Sequence, residues 1–543
     1  MALRWTFIFL LLIGLQANAG PASADALVGS AIPSIPDRPE QEVLVGVSEE
    51  WRPYLVQARM AERIADPLQR CLAFPDIPGN DWPKGHAAAH CRHHFAIRRP
   101  TIDDIAGQVE RGEVGKLDAL FDESLERHFS EEHFSDDIHD TFNYLLSSDV
   151  YAERVGSLTE AWLRQAPESA YANLARASYL RGAAGRARGG KYAFETPPEN
   201  MRRMSELVEE SLPYFERAVA INPRLVAAYT GMMDVARMDS RAGLEARARR
   251  AAEALDPACP ELANQTMLSL QPRWGGSAEQ MQQYADVLAG YVARRPHLAI
   301  HLAQPLADRG DRMMELQPVP REAFEILRAA SALGSDEGVM RQTAAAAHEV
   351  LQGRDVDATR LVYLLQEARF RDVDAWASTT IGRMLSSAEP QWSLKYSMRA
   401  LELEPDRARA RVAAGMAYRS MALHDEAQRQ FEMAMHDTAV RQESLRRLVE
   451  LSLFRDSRGD AGLARKNAAR AKPYLDMLRT EYPSDGRVAI FSFYQDVINN
   501  VVVDEADIRA TLSKLDSDDP WQVQHGKRLE AMLVAPAPAE ASP

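Results

Sequence analysis

Apolar residues recur along most of this chain at three- and four-residue spacings, the period of an α-helix that turns one face to a core. Alternating β-branched runs, the mark of strands, are scarce. Pro, Gly and Asp cut the pattern into short segments, so the chain reads as many brief helices joined by turns. This rhythm predicts an all-α protein and prompts a search for internal repeats. In the clearest unit, 408–439, Gly415 and Tyr418 fall on a first helix, and Ala427, Phe431 and Ala434 on a second. A small residue at a helix crossing permits close approach, and the aromatic fills the groove that results.

The spacing repeats. Ala400 and Ala434 are 34 residues apart, as are Ala218 and Ala252, and Pro223 and Pro257. Phe215, Ala218 and Pro223 take the second-helix positions of the earlier unit. Small–small–aromatic hairpins at this period resemble tetratricopeptide repeats. The expected fold is therefore an α-solenoid of stacked helical hairpins preceded by a helical N-terminal region. The units are degenerate: Arg411 and Tyr229 stand where the motif prefers Trp, Arg249 replaces the aromatic, and Ala439 replaces the closing Pro. The stretch 260–375 is helical but keeps no readable register. Expected divisions are an N-terminal helical region at 47–150, degenerate repeats at 151–315, tetratricopeptide-like repeats at 316–485 and a closing pair of helices at 486–530.

The two ends differ from the body. Arg4, the apolar run Thr6–Leu15 and the small-residue triplet Ala17-Asn18-Ala19 form the three parts of a secretory signal, predicting cleavage near Ala19. The apolar run is about half the roughly 20 residues a membrane-spanning helix needs. The expected location is periplasmic or secreted, with no stable membrane span after cleavage. Residues 20–46 read as a Pro-rich lead-in and 531–543 as a disordered tail.

Two motifs stand out between 157 and 290. One is ARGGKYAFETPPENMRRM (Ala187–Met204); the other is PRWGGS (Pro272–Ser277), which precedes a helix. Their order around the Phe215–Pro223 helix resembles an uncharacterised bacterial family, domain of unknown function 4034. That resemblance covers about a quarter of the chain, implies a helical, repeat-like fold and carries no known activity. In PRWGGS, Gly275 and Gly276 suit a turn closed to other residues, and Ser277 with Gln280 forms a helix-start pattern. Arg273 and Trp274 are candidates for contact with a partner. The locally basic stretch 181–191 adds Arg186 and Arg188, which either cap helix carbonyls or meet an acidic partner.

Candidate chemistry is sparse. Cys71 and Cys91 flank a Pro/Gly-rich loop and are expected to pair in an oxidising compartment, leaving Cys259 as a free thiol. His86, His90 and His94 recur on one helical face, which offers a competing reading: a metal site completed by the Cys91 thiolate. The acidic run 131–140 lacks the spacing of a calcium loop and reads as a solvated helix end. No nucleophile elbow, zinc-protease motif, phosphate-binding loop or Cys-x-x-Cys occurs, so no catalytic residue and no cofactor is assigned.

Charge narrows the partners. With 64 Lys+Arg against 78 Asp+Glu, the net charge of −14 disfavours nucleic acid. The leading expectation is an exported scaffold that binds a protein or peptide in a groove lined by first helices, with Arg411, Ala414 and Tyr418 near it. Its rivals are a metal-dependent hydrolase built from the 86–94 histidines and the 131–140 carboxylates, and a purely structural envelope component.

Overall fold

Helical hairpins make up the computed structural model, which describes residues 34–39, 44, 47–96, 99–131, 134–148, 151–353, 356–457 and 459–534. The expected export signal, most of the lead-in and positions 535–543 of the tail lie outside the described residues. No strand occurs among the described residues.

From residue 170 onward successive helices pair: Ala170–Arg188 with Pro198–Ile221, Val226–Met238 with Ala242–Leu255, and Pro260–Ser269 with Ala278–Ala289. The array continues as Gln304–Met314 with Arg321–Leu333, Glu337–Val350 with Val356–Phe370, and Ala375–Leu385 with Pro390–Leu403. Ala408–Ser420 with His424–Ala434 and Arg441–Leu453 with Ala461–Glu481 follow. Each hairpin leans on the next, so the body is a tetratricopeptide-like α-solenoid. In the 408–434 hairpin a Cβ built on Gly415 would lie 2.6 Å from the Phe431 ring, so any larger residue would force the two helices apart.

The unreadable stretch 260–375 thus continues the array. Its register is hidden because a 3-10 segment, Pro296–Leu302, is inserted between hairpins and shifts the period. The hairpin Gln304–Met314/Arg321–Leu333 also straddles the expected boundary at 315. At the far end three helices rather than two close the array: Gly486–Ile498, Glu505–Leu512 and Pro520–Val534. Asn500, at φ +59°, turns the chain out of the first of them.

The expected N-terminal region 47–150 is not one body. Residues 102–146 share a core with 155–262, including Phe121, Phe142, Trp162 and Phe215. Residues 47–96 skip this neighbourhood and dock far downstream: Trp51, Tyr54 and Leu55, on and beside helix Arg52–Ala61, pack with Phe324, Tyr363, Trp392 and Tyr396. These four partners lie on second helices of three consecutive hairpins. Polar clamps fix the docking. The Arg59 Nε–H donates to Glu389 at 2.6 Å, Gln366 donates to the Tyr54 hydroxyl at 2.9 Å, and Trp82 Nε1–H donates to the Ser331 carbonyl at 2.9 Å. Cys71 and Cys91 are disulfide-bonded, joining helices Pro67–Ala73 and His86–Phe95 against Phe370.

Candidate interaction surface

The two motifs singled out in 157–290 meet in space. Helix Ala170–Arg188 is long for a repeat helix and ends at Gly189, whose φ of +74° sends the chain into a loop. That loop lifts Tyr192 and Phe194 off the body; their rings stack 5.6 Å apart, and Phe194 is 85% exposed. Facing it is the 3-10 turn Pro272–Trp274. Gly275 (φ +94°) closes this turn, and a Cβ on Gly276 would run into the Leu270 carbonyl, so both glycines are needed here. Ser277 then accepts the Gln280 N–H at 3.2 Å and starts helix Ala278–Ala289.

Guanidinium groups tie the two motifs together. Arg188 lies 5.0 Å from the centre of the Trp274 ring, Arg237 lies 5.5 Å from it, and Arg273 lies 5.9 Å from the Tyr192 ring. Arg237 is neutralised by Asp234 at 2.6 Å, whereas Arg188 and Arg273 form no ion pair among the described residues. Partial burial and the neighbouring Arg273 push Arg188 below its ordinary pKa. Arg186 has a structural task, donating to the Ser147 carbonyl at 3.2 Å.

A cavity of about 340 Å³ opens beside this lip, lined by Tyr192 and Arg273 and by first-helix residues including Asp308, Asp311 and Arg341. Enclosure, together with the carboxylates of Asp336, Asp308 and Glu315, pushes Asp311 up to about 6. The surface therefore combines exposed rings, two guanidinium groups that form no salt bridge among the described residues, and an acidic recess whose Asp308 attracts Arg273.

Other expected groove residues are placed elsewhere. Tyr418 is 7% exposed and belongs to the core with Val412 and Phe431, so it is not available to a partner. Arg411 is spent on the Pro405 carbonyl, to which it donates at 2.6 Å, and Ala414 is fully buried.

The three spaced histidines do not converge as a metal site. His86 Nδ1 lies 2.8 Å from the Pro296 carbonyl, and its Nε2 accepts the Ser335 N–H at 3.2 Å. His90 contacts Ser335 Oγ at 2.7 Å and Glu337 at 3.2 Å while stacking on Phe370 at 4.2 Å. His94 sits edge-on to Phe95, and the thiolate expected to complete the set is consumed by the disulfide. Burial pushes His86 down to about 4. The neighbouring His93 does face the acidic run, across a cleft of about 550 Å³ also lined by His297, Asp136, Asp137 and Arg295.

The acidic run itself needs correction. Asp136, Asp137 and His139 are almost fully buried, because the chain folds under itself at 137–147 instead of ending a solvated helix. Asp136 Oδ1 lies 2.7 Å from His139 Nδ1 and 3.3 Å from His128 Nδ1. Cys259, expected to be free, is indeed unpaired, but its sulfur lies 3.8 Å from His139 Nε2. Burial opposes charge on His139, yet Cys259 and Asp136 outweigh it and hold the imidazole up to about 10. No sequence motif joins these residues, which come from segments more than a hundred positions apart.

No family model matches the chain, and no curated protein matches it. Among solved structures, the P58(IPK) TPR domain is 11% identical, with 73% of this chain and 96% of that chain covered at a TM-score of 0.22. The human IFIT1 dimer with m7Gppp-AAAA is 12% identical, covering 91% of this chain and 99% of that one at 0.23. Naa15/Naa10 bound to HypK-THB is 11% identical, covering 88% of each chain at 0.20. Likenesses of this size carry no argument about ligand or partner. No helix among the described residues is long and apolar enough to cross a membrane.

Proposed function

We propose that the protein is an exported scaffold that binds a protein or peptide segment at the surface formed by Tyr192, Phe194, Arg188, Arg273 and Trp274. One observation carries this reading: two sequence motifs some 80 residues apart converge to present exposed rings beside guanidinium groups that form no salt bridge among the described residues. Exposed aromatics and Arg are the residue types that anchor binding hot spots. Arginines free of salt bridges favour a segment bearing carboxylates and an aromatic or apolar side chain. Export is supported by the signal-like start and by the disulfide, which suits an oxidising compartment. The resemblance of 157–290 to domain of unknown function 4034 fits the helical fold and names no activity.

A displayed peptide library tests the proposal. Wild-type protein should enrich acidic peptides that carry an aromatic residue, and an Arg188→Glu/Arg273→Glu variant with an unchanged melting temperature should not. Equal enrichment by both proteins, or none by either, would sink it.

A further inference from the structure

The chain has a second unusual site, where the acidic run 131–140 meets His128 and Cys259. His128 ends helix Val114–Phe129, His139 lies in the short turn Asp137–His139, and Cys259 is the residue that starts helix Pro260–Ser269. All three are buried, and Cys259 Sγ, His139 Nε2 and a ring nitrogen of His128 lie within 4.8 Å of one another. Among the described residues this is the cluster of His, Cys and carboxylate groups whose ligand atoms converge so closely.

The orientation of the rings is informative. Both histidines turn Nδ1 toward one carboxylate oxygen, Asp136 Oδ1, at 2.7 and 3.3 Å. Their Nε2 atoms consequently point the other way: His139 toward Cys259 Sγ at 3.8 Å, His128 toward Asp256 Oδ2 at 3.4 Å. A carboxylate behind Nδ1 with Nε2 turned inward is the arrangement that orients imidazole ligands on a metal. With metal–sulfur and metal–nitrogen bonds of about 2.3 and 2.0–2.1 Å, tetrahedral zinc holds its S and N ligands about 3.6 Å apart, close to the spacing here.

A second, independent observation points to a ligand. Neither ring nitrogen of His128 makes a hydrogen bond of acceptable geometry, and neither does Asp256 Oδ2, although both side chains are 2% exposed or less. Buried polar atoms left without partners are costly, and native structures satisfy nearly all of them. A cation held by Cys259, His139 and His128 Nε2 would give that nitrogen a partner and draw in the Asp256 carboxylate 3.4 Å away, leaving His128 Nδ1 to Asp136 at 3.3 Å.

We propose that this cluster is a structural Zn²⁺ site with Cys259 Sγ, His139 Nε2 and His128 Nε2 as converging ligands, Asp136 as the carboxylate that orients both rings, and Asp256 turning its carboxylate from His128 onto the ion as the fourth ligand. Four protein ligands leave no open position, which fits a structural rather than a catalytic metal. The ion would join the 102–146 helices to the hairpin turn at 256–259, adding to the apolar packing and to the Tyr144–Glu261 hydrogen bond nearby. It would also keep the Cys259 thiolate coordinated in a compartment where free thiols oxidise.

The test uses the full chain, equilibrated with micromolar ZnCl₂ and separated from unbound metal before elemental analysis. One Zn per chain is expected, with a raised melting temperature. Cobalt(II) in its place should give a thiolate charge-transfer band that disappears in Cys259→Ser. Asp136→Asn should weaken zinc about 10- to 100-fold while leaving the cobalt band intact. Should His139→Ala fail to fold, Cys259→Ser and Asp256→Asn provide the same comparison. The proposal is overturned if folded wild-type protein takes up neither ion, or if Cys259→Ser binds zinc with unchanged stoichiometry and affinity, which would mark adventitious surface binding.

Discussion

Acidification should loosen the docked N-terminal segment, and His86 sets the size of the effect. Its Nε2 accepts the Ser335 N–H, so the ring is neutral with its proton on Nδ1, which donates to the Pro296 carbonyl at 2.8 Å. Protonating Nε2 would set a charged ring against the Ser335 N–H in a site with no exposure to water, with only the Ser335 hydroxyl, 2.8 Å away, able to accept the new proton. Burial pushes the pKa from 6.5 to about 4; His90 and Arg369 push the same way, and the Pro296 carbonyl and Asp76 oppose them. Because the folded value lies below the unfolded one, this stability is complete above pH 6.5 and is lost as the pH falls toward 4. At about 1.4 kcal/mol per pH unit, roughly 2 kcal/mol is gone by pH 5 and about 3 in full. Hydrogen exchange of helix His86–Phe95 reads this directly as its local opening free energy. Protection factors, corrected for intrinsic rates, should fall about 30-fold between pH 7 and pH 5. In His86→Asn, which keeps a donor near Pro296 but does not titrate, protection should start lower and fall less, the remaining fall coming from His93, His94 and His297, whose burial also holds them below the ordinary histidine value. An equal fall in both proteins would refute the reasoning.

Two further outcomes concern the same docking. Replacing Cys71 and Cys91 with Ser opens a crosslink spanning 20 residues and should cost about 3 kcal/mol of stability in urea titrations. Arg59→Met takes the 2.6 Å partner from the buried Glu389 and leaves it only the more exposed Arg38 at 3.1 Å, so a loss below the ~3–5 kcal/mol of a fully unpaired buried charge is expected, largely restored by Arg59→Met/Glu389→Gln.

What the sequence reveals and what it hides follow the range of the interactions. Gly415 and Phe431 sit 16 residues apart in one hairpin, so their contact leaves a local, repeating signature. The PRWGGS turn is legible for the same reason, since the conformations of Gly275 and Gly276 are set by immediate neighbours. The docking of Trp51 beside Tyr363 has no such signature, because any apolar helix at 52–61 would look the same in sequence. Tyr418 was misplaced because helical periodicity does not distinguish a groove-facing ring from one wedged between hairpins. His139 and Cys259 each carry a bland local context, an acidic run and a turn, and only folding brings them together.

An ordinary solenoid can assemble from either end, since each hairpin touches only its neighbours. The clasp between Trp51 and Tyr363 breaks that independence. At about 5–20 residues per second the ribosome needs roughly 15–60 s to make the intervening chain. Throughout that interval the oily face of the first helix has nowhere to go. Synthesis of this protein therefore carries a built-in waiting period, and whatever handles the nascent chain must shield that helix until its distant dock emerges.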